Sequence, residues 1–287
     1  MKKVVLVIVL VGIAGIAGIV RSNSNPLRGL NSLPGVFHGD KQSGPEVHEE
    51  IRKSYELSAG ALVEVSGING SVKIETADVK SADVLIERTG SSAEVLSRRK
   101  IVIDATATTL RIHGEKAEGS FLGRLFGSAP SERVTLRLPR QVSLVAKGIN
   151  GALLVGEIGG PVEVQGINGK VDIAQSTGSA ELKGINGNVS VGFKQLDSQG
   201  IDLSGINGNI ELRLDANLNA DLEASGMNGN VISDLPGVVV DKSRPGHYTA
   251  QIGSGGNAIS ARGINGNIRL TRMTPVASSA AEARIGG

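Results

Sequence analysis

Residues 161–193 read PVEVQGINGKVDIAQSTGSAELKGINGNVSVGF, and this stretch decides the fold. Val162 and Val164 share one parity; beyond the tetrapeptide, Val171 and Ile173 share the other with Ile167. Short runs of period two are the mark of half-buried strands, so the segment reads strand, corner, strand. Asn and Gly both tolerate positive φ and turn the chain sharply, while the preceding Gly is expected to let neighbouring backbones approach closely. The Ile points inward and fills the corner.

Gly-Ile-Asn-Gly starts at Gly67, Gly148, Gly166, Gly184, Gly205 and Gly263, with Gly-Met-Asn-Gly at Gly226. Met serves because it is flexible and of similar bulk. The spacings of 81, 18, 18, 21, 21 and 37 residues define a unit of 18–21, which makes 37 close to two units and 81 close to four. A looser second corner (QSTGS, DSQG, DANLN) completes each unit. Asn-Gly between alternating strands also fits an antiparallel meander. A meander, however, gives no reason for one tetrapeptide at every second turn in a fixed frame. Parallel stacking does, because equivalent residues then form ladders at about 4.8 Å per coil. The expected fold is therefore all-β: a parallel β-helix or solenoid of about 18–21 residues per coil. A less regular, more antiparallel N-terminal β region covers residues 81–139, where DVLIER, KIVIDA, TLRIHG and RVTLRLP keep the alternation.

Composition agrees with thin aliphatic layers: 40% of the chain is hydrophobic, yet aromatics are 2%, with 40 Gly. Net charge is +2, spread along the chain, which gives no reason to expect nucleic acid. The lack of Cys excludes disulfides, thiolate metal sites, Cys nucleophiles and a lipoprotein anchor.

Lys2 and Lys3 precede an apolar run from Val4 to Val20 that Arg21 closes. This is an export signal, short for a membrane span and long for a cleaved signal peptide, and both outcomes stay open. Everything after Arg21 is expected outside the cytoplasm, in the periplasm or at the cell surface, tethered to the cytoplasmic membrane by residues 4–20 if they are retained. The expected organisation is residues 1–20 as signal or anchor, 21–45 as a flexible linker, 46–273 as the repeat domain and 274–287 as a disordered tail.

The seven corners (Asn69, Asn150, Asn168, Asn186, Asn207, Asn228 and Asn265), the approach strand ALVEVSGINGSVKIE, the strand RVTLRLPR and the export segment together resemble the bacterial putative-adhesin family of β-strand repeat proteins. That family is described as a domain of unknown function and is related to autotransporter adhesin head domains. The resemblance covers residues 46–272. It implies a right-handed β-helix or rack-like stack outside the cytoplasmic membrane, with some relatives in envelope-stress gene neighbourhoods, and carries over no catalytic residue.

No reaction chemistry stands out. His38, His48, His113 and His247 are scattered without metal-ligand spacing. Glu163, Asp172, Glu181, Asp202, Glu211 and Glu223 alternate with inward apolar positions, so they face solvent among Lys147, Lys170, Lys183 and Arg213. An open sheet face lacks the cleft a catalytic carboxylate needs. The corner asparagines read as structural hydrogen-bonding ladders, and Asn188, Asn209, Asn230 and Asn267 as a second ladder outside them. Phe121, Leu122, Leu125 and Phe126 sit in a Gly-rich loop and are read either as a partner or membrane contact or as a flap covering the end of the stack. The expected function is a non-enzymatic envelope protein without cofactor, a putative adhesin or scaffold. Its candidate partners are the membrane, an envelope protein or glycan, and further copies stacked end to end. The alternative is a membrane-anchored accessory or sensor in envelope-stress signalling.

Overall fold

A computed structural model describes residues 46–116 and 129–273. The apolar run, both Ser-rich terminal stretches and the Phe121–Phe126 segment lie outside the described residues.

The described chain opens with β1 (Val47–Glu56), β2 (Ala61–Ser66), β3 (Gly70–Ala77) and β4 (Ser81–Gly90). A five-residue helix follows, α1 (Ala93–Ser97), capped by the Ser92 side chain, which accepts from Val95 N–H. After β5 (Arg99–Thr106), β6 (Thr109–Lys116) and β7 (Ser131–Pro139), strands alternate between two sheets. These are β8 (Val142–Lys147) and β9 (Leu153–Ile158), β10 (Val162–Gln165) and β11 (Val171–Thr177), β12 (Ala180–Lys183) and β13 (Val189–Gln195), β14 (Ile201–Ser204) and β15 (Ile210–Leu214), and β16 (Ala220–Ser225) and β17 (Val231–Ser233). A hairpin of β18 (Val240–Arg244) and β19 (His247–Ile252) precedes the last pair, β20 (Asn257–Arg262) and β21 (Ile268–Arg272).

The fold is all-β, two large mixed sheets that do not close into a barrel. The 10-stranded sheet runs β1-β4-β7-β3-β9-β11-β13-β15-β21-β17, and the 11-stranded sheet runs β18-β19-β16-β20-β14-β12-β10-β8-β2-β6-β5. Neighbouring units pair in parallel, Val162 opposite both Leu144 and Ala180, which rules out the meander for the repeats. Antiparallel pairing is confined to the ends: β1 with β4, β4 with β7, and β5 with β6 at one, and the β18–β19 hairpin on β16 at the other.

Each unit delivers apolar side chains from both its strands and from its corner Ile or Met to one core. In one unit they are Val162, Val164, Ile167, Val171 and Ile173, all buried. Register places each under its counterpart, as in Leu144–Val162–Ala180–Ile201 along one sheet and Leu153–Val171–Val189–Ile210 along the other. Such layers bury aliphatic groups of varying size without leaving a row, which suits a chain with so few aromatics. Phe193 is fully buried, and its register partner on β11 is the small Ser176.

Two spacings mislead. Asn69 and Asn150 are 81 residues apart, yet they are adjacent, with Asn150 Nδ2 donating to Asn69 Oδ1 at 3.0 Å. The intervening chain makes one further unit, β6 parallel to β2 and β7 parallel to β3, and spends the rest on the antiparallel end. Likewise the 37-residue spacing does not hold a full unit between two stacked corners. Asn265 lies between Asn207 and Asn228, so the last pair, β20–β21, is inserted between two earlier units.

Candidate interaction surface

The corner glycines divide their labour differently from the expectation. The first glycine holds the positive φ, as at Gly184 (62°), and a Cβ there would meet nothing closer than 3.8 Å. The close approach belongs to the second glycine. A Cβ on Gly187 would overlap the Gly169 carbonyl oxygen of the neighbouring unit. Between them, the Ile is buried and the Asn faces outward.

The seven asparagines form one continuous ladder. Asn150, Asn168, Asn186, Asn207, Asn265 and Asn228 each donate from Nδ2 to the Oδ1 of the preceding corner at 2.9–3.1 Å, always toward the β2 end. Asn188, Asn209, Asn267 and Asn230 make a second ladder of a different kind, in which backbone N–H donates to the previous Oδ1 at 2.9–3.0 Å.

Each ladder is finished at one end by residues outside the repeat. Within the array each corner Asn N–H donates to the Ile carbonyl below, as Asn168 does to Ile149. Asn69 has no such corner below it. Its N–H donates to Glu132 Oε2 and its Nδ2 to the Pro130 carbonyl, both at 2.8 Å. Glu132 is buried, and Arg99 Nε donates to its Oε1 at 2.8 Å while Nη2 reaches the Gly67 carbonyl. Glu49, Arg88 and Glu132 are in register across β1, β4 and β7. Arg88 pairs with the half-buried Glu49 and also donates to the Leu96 and Arg99 carbonyls, so the buried charges Arg88 and Glu132 are each compensated. At the other end Tyr248 Oη donates to the Gly229 carbonyl (2.9 Å) and Asn230 Oδ1 (3.1 Å), and Met227 N–H donates to the Gly246 carbonyl of the hairpin turn.

The outer faces carry ordered rows of charge. On the 11-stranded sheet Glu163, Glu181 and Asp202 occupy one register row. The adjacent row runs Lys147–Gln165–Lys183–Ser204–Arg262, and its basic members pair with the acids: Lys147 with Glu163 at 2.7 Å, Lys183 with Glu181, and Arg262 with Asp202 at 3.0 Å. Hydrogen bonds to Glu163 and Glu181 push the Lys147 and Lys183 ammonium groups above the usual lysine value. On the other sheet Asp172 pairs with Lys170 at 2.8 Å. A bulge in β11 follows Ile173. Arg213 reaches across Gly192 to Asp172 (3.3 Å) and to the Ile173 carbonyl (2.8 Å).

Two depressions dent these faces. One, about 400 Å³, lies over β1, β4 and β7 between Arg52, Asp83 and Arg137; the other, about 620 Å³, lies over β16, β19 and β20 beside Asp221, Glu223 and Asp241. Among the described residues no group of three or more His, Cys, Asp or Glu is placed to hold a metal ion. No helix of the described residues is long and apolar enough to cross a membrane.

No protein-family model matches the chain, and no curated protein matches it. Solved structures to which it is similar are described as bacterial adhesins or binding proteins. A putative cell adhesion protein from Clostridium sporogenes is 14% identical, covering 79% of this chain and 100% of its own, with a TM-score of 0.41. A putative adhesin from Parabacteroides merdae is 12% identical, covering 78% and 96%, with a TM-score of 0.25. A putative lipid binding protein from Parabacteroides distasonis is 12% identical, covering 78% and 97%, with a TM-score of 0.23.

Glu132, Arg99 and Tyr248 were not among the sequence candidates. A signal for the first two exists: Glu132 shares parity with Val134, Leu136 and Leu138, and Arg99 with Ile101 and Ile103, so each is a charge in phase with an apolar row.

Proposed function

We propose that this chain is an exported, non-enzymatic envelope protein that acts as a rigid adhesive or scaffolding surface, its two sheets wound as a right-handed parallel β-solenoid. The observation that carries the reading is the register-matched rows Glu163–Glu181–Asp202 and Lys147–Lys183–Arg262 on a flat sheet face. Unlike a cleft, such a face offers a carboxylate on each of three successive strands, β10, β12 and β14, and a basic residue on every second strand, β8, β12 and β20. A repeating polar polymer such as a glycan meets one carboxylate per unit across these three units, and weak contacts sum through effective concentration. The export signal at Lys2–Arg21 supports placing that surface outside the cytoplasm.

The test is cosedimentation of full-length protein with purified cell-wall polymer, comparing wild type with the triple charge reversal Glu163→Lys, Glu181→Lys, Asp202→Lys. Wild type is expected to pellet and the triple variant to stay in solution. Equal partition of the two refutes the sheet face as the binding surface. Fractionation with the intact mass of the N terminus separates a released binder from the tethered accessory role, which requires residues 1–20 to be retained.

A further inference from the structure

We propose that the last strand pair, residues 257–272, is exchanged between two copies of this chain, each copy's β20–β21 filling the place between β14–β15 and β16–β17 of the other. That pair occupies an inserted position in the stack. β20 is in parallel register with β14 on one side and β16 on the other, and β21 with β15 and β17. Asn265 donates to Asn207 and accepts from Asn228 at 2.9 Å each. What holds this pair is repeat register together with single contacts such as Asn257 to the Leu196 carbonyl and Arg269 to Asp234, all available equally from the same residues of a second copy.

The step between Asn207 and Asn228 shows that the place is optional. It takes 21 residues and passes over the inserted unit, whereas the step from Asn186 to Asn207 takes the same 21 residues and moves to the immediate neighbour. β16–β17 can therefore stack directly on β14–β15 until the last pair arrives, and the pair must find a gap that its own chain does not keep open.

The connection supplies the hinge. Ile252 of β19 and Asn257 of β20 are both register partners of Ala220, on opposite edges of β16. Residues 253–256, Gly-Ser-Gly-Gly, cross the end of β16 to join them, with Gly253 and Gly255 at φ 59° and 76°. This tight turn is held by side chains at the start of β16: Asn219 Oδ1 accepts from Ser254 N–H and Asp221 Oδ2 from Gly256 N–H, both at 2.9 Å. Closed and exchanged forms share every strand contact and differ only in this turn, so protein concentration and turn strain set the balance between them.

Single-cysteine full-length chains test this directly, since the protein has no cysteine of its own. Glu223 and Ser260 are register partners on the outer face of β16 and β20. A Glu223→Cys copy and a Ser260→Cys copy are unfolded together in detergent, refolded at high concentration and oxidised. Exchange yields a mixed disulfide dimer, about tenfold above the control mixture of Glu163→Cys with Ser260→Cys, whose positions no exchange brings together. Adding Asn219→Ala and Asp221→Ala to both copies loosens the turn and raises that yield. Monomers throughout overturn the proposal, and so does a dimer by light scattering that forms no mixed disulfide, because its copies then associate without trading the last pair.

Discussion

Replacing Glu132 with alanine removes the anion on which the first corner rests. The side chain is fully buried and holds Asn69 N–H and Arg99 Nε, each at 2.8 Å, while the Arg99 side chain is only 12% exposed. Alanine leaves that guanidinium without its counter-ion beside an unpaired N–H. Breaking a buried pair from one side costs about 3–5 kcal/mol, a large share of a total stability of roughly 5–15 kcal/mol. At about 2–4 °C per kcal/mol for a chain of this size, Tm falls by roughly 6–20 °C. Glu132→Gln keeps one acceptor and loses about half as much. Because each unit touches only its neighbours, the damage is local. Hydrogen exchange read by mass should accelerate over β2, β3 and β7 while β10–β15 keep their protection. A Tm within about 2 °C of wild type, or protection lost evenly along the stack, refutes the assignment of Glu132 as the end of the ladder.

Other consequences are as direct. Gly187→Ala sets a methyl against the Gly169 carbonyl and should cost at least about 2 kcal/mol in urea unfolding, more than Gly184→Ala, where about 1–2 kcal/mol of left-handed backbone strain is the only burden. Phe193→Ala empties a fully buried site and should cost about 3–5 kcal/mol by the same assay. The burial of Tyr55, with Asp104 beside it, pushes its phenol above the usual 10.0. The folded state therefore keeps a proton that the unfolded chain loses, and stability falls as pH rises above that value. Tyr55→Phe should flatten this alkaline limb in thermal melts. Lys183→Ala should leave stability unchanged at any salt concentration, since its partner Glu181 is as exposed as it is.

Much of the interior was legible. Parity alone placed Val162, Val164, Val171 and Ile173 in the core, and the repeated tetrapeptide placed one Ile per unit beside them. The parallel stacking of the asparagines followed from their fixed frame. The order of the units was not legible, because 21 residues span one step or two equally well and nothing in β20–β21 distinguishes it from its neighbours. The roles of the two corner glycines were exchanged for a related reason: sequence shows that a glycine is required but not whether torsion or a facing carbonyl requires it. The end caps were not legible because each of their residues occurs once and has no counterpart in the repeats. Glu132 and Arg99 break the apolar phase of β7 and β5, and that break was the available clue.

One property of the corner ladder reaches beyond stability. All six amide-to-amide bonds run the same way, so their dipoles add instead of cancelling, as peptide dipoles do along a helix. The positive end meets the Pro130 carbonyl with the Glu132 carboxylate beside it, whereas the opposite end leaves Asn228 Oδ1 accepting from no described residue. The corner is thus an oriented edge with a head and a tail. On the proposed adhesive role, a polar polymer laid along it would meet different chemistry in its two orientations, and successive molecules on a single strand would then point the same way.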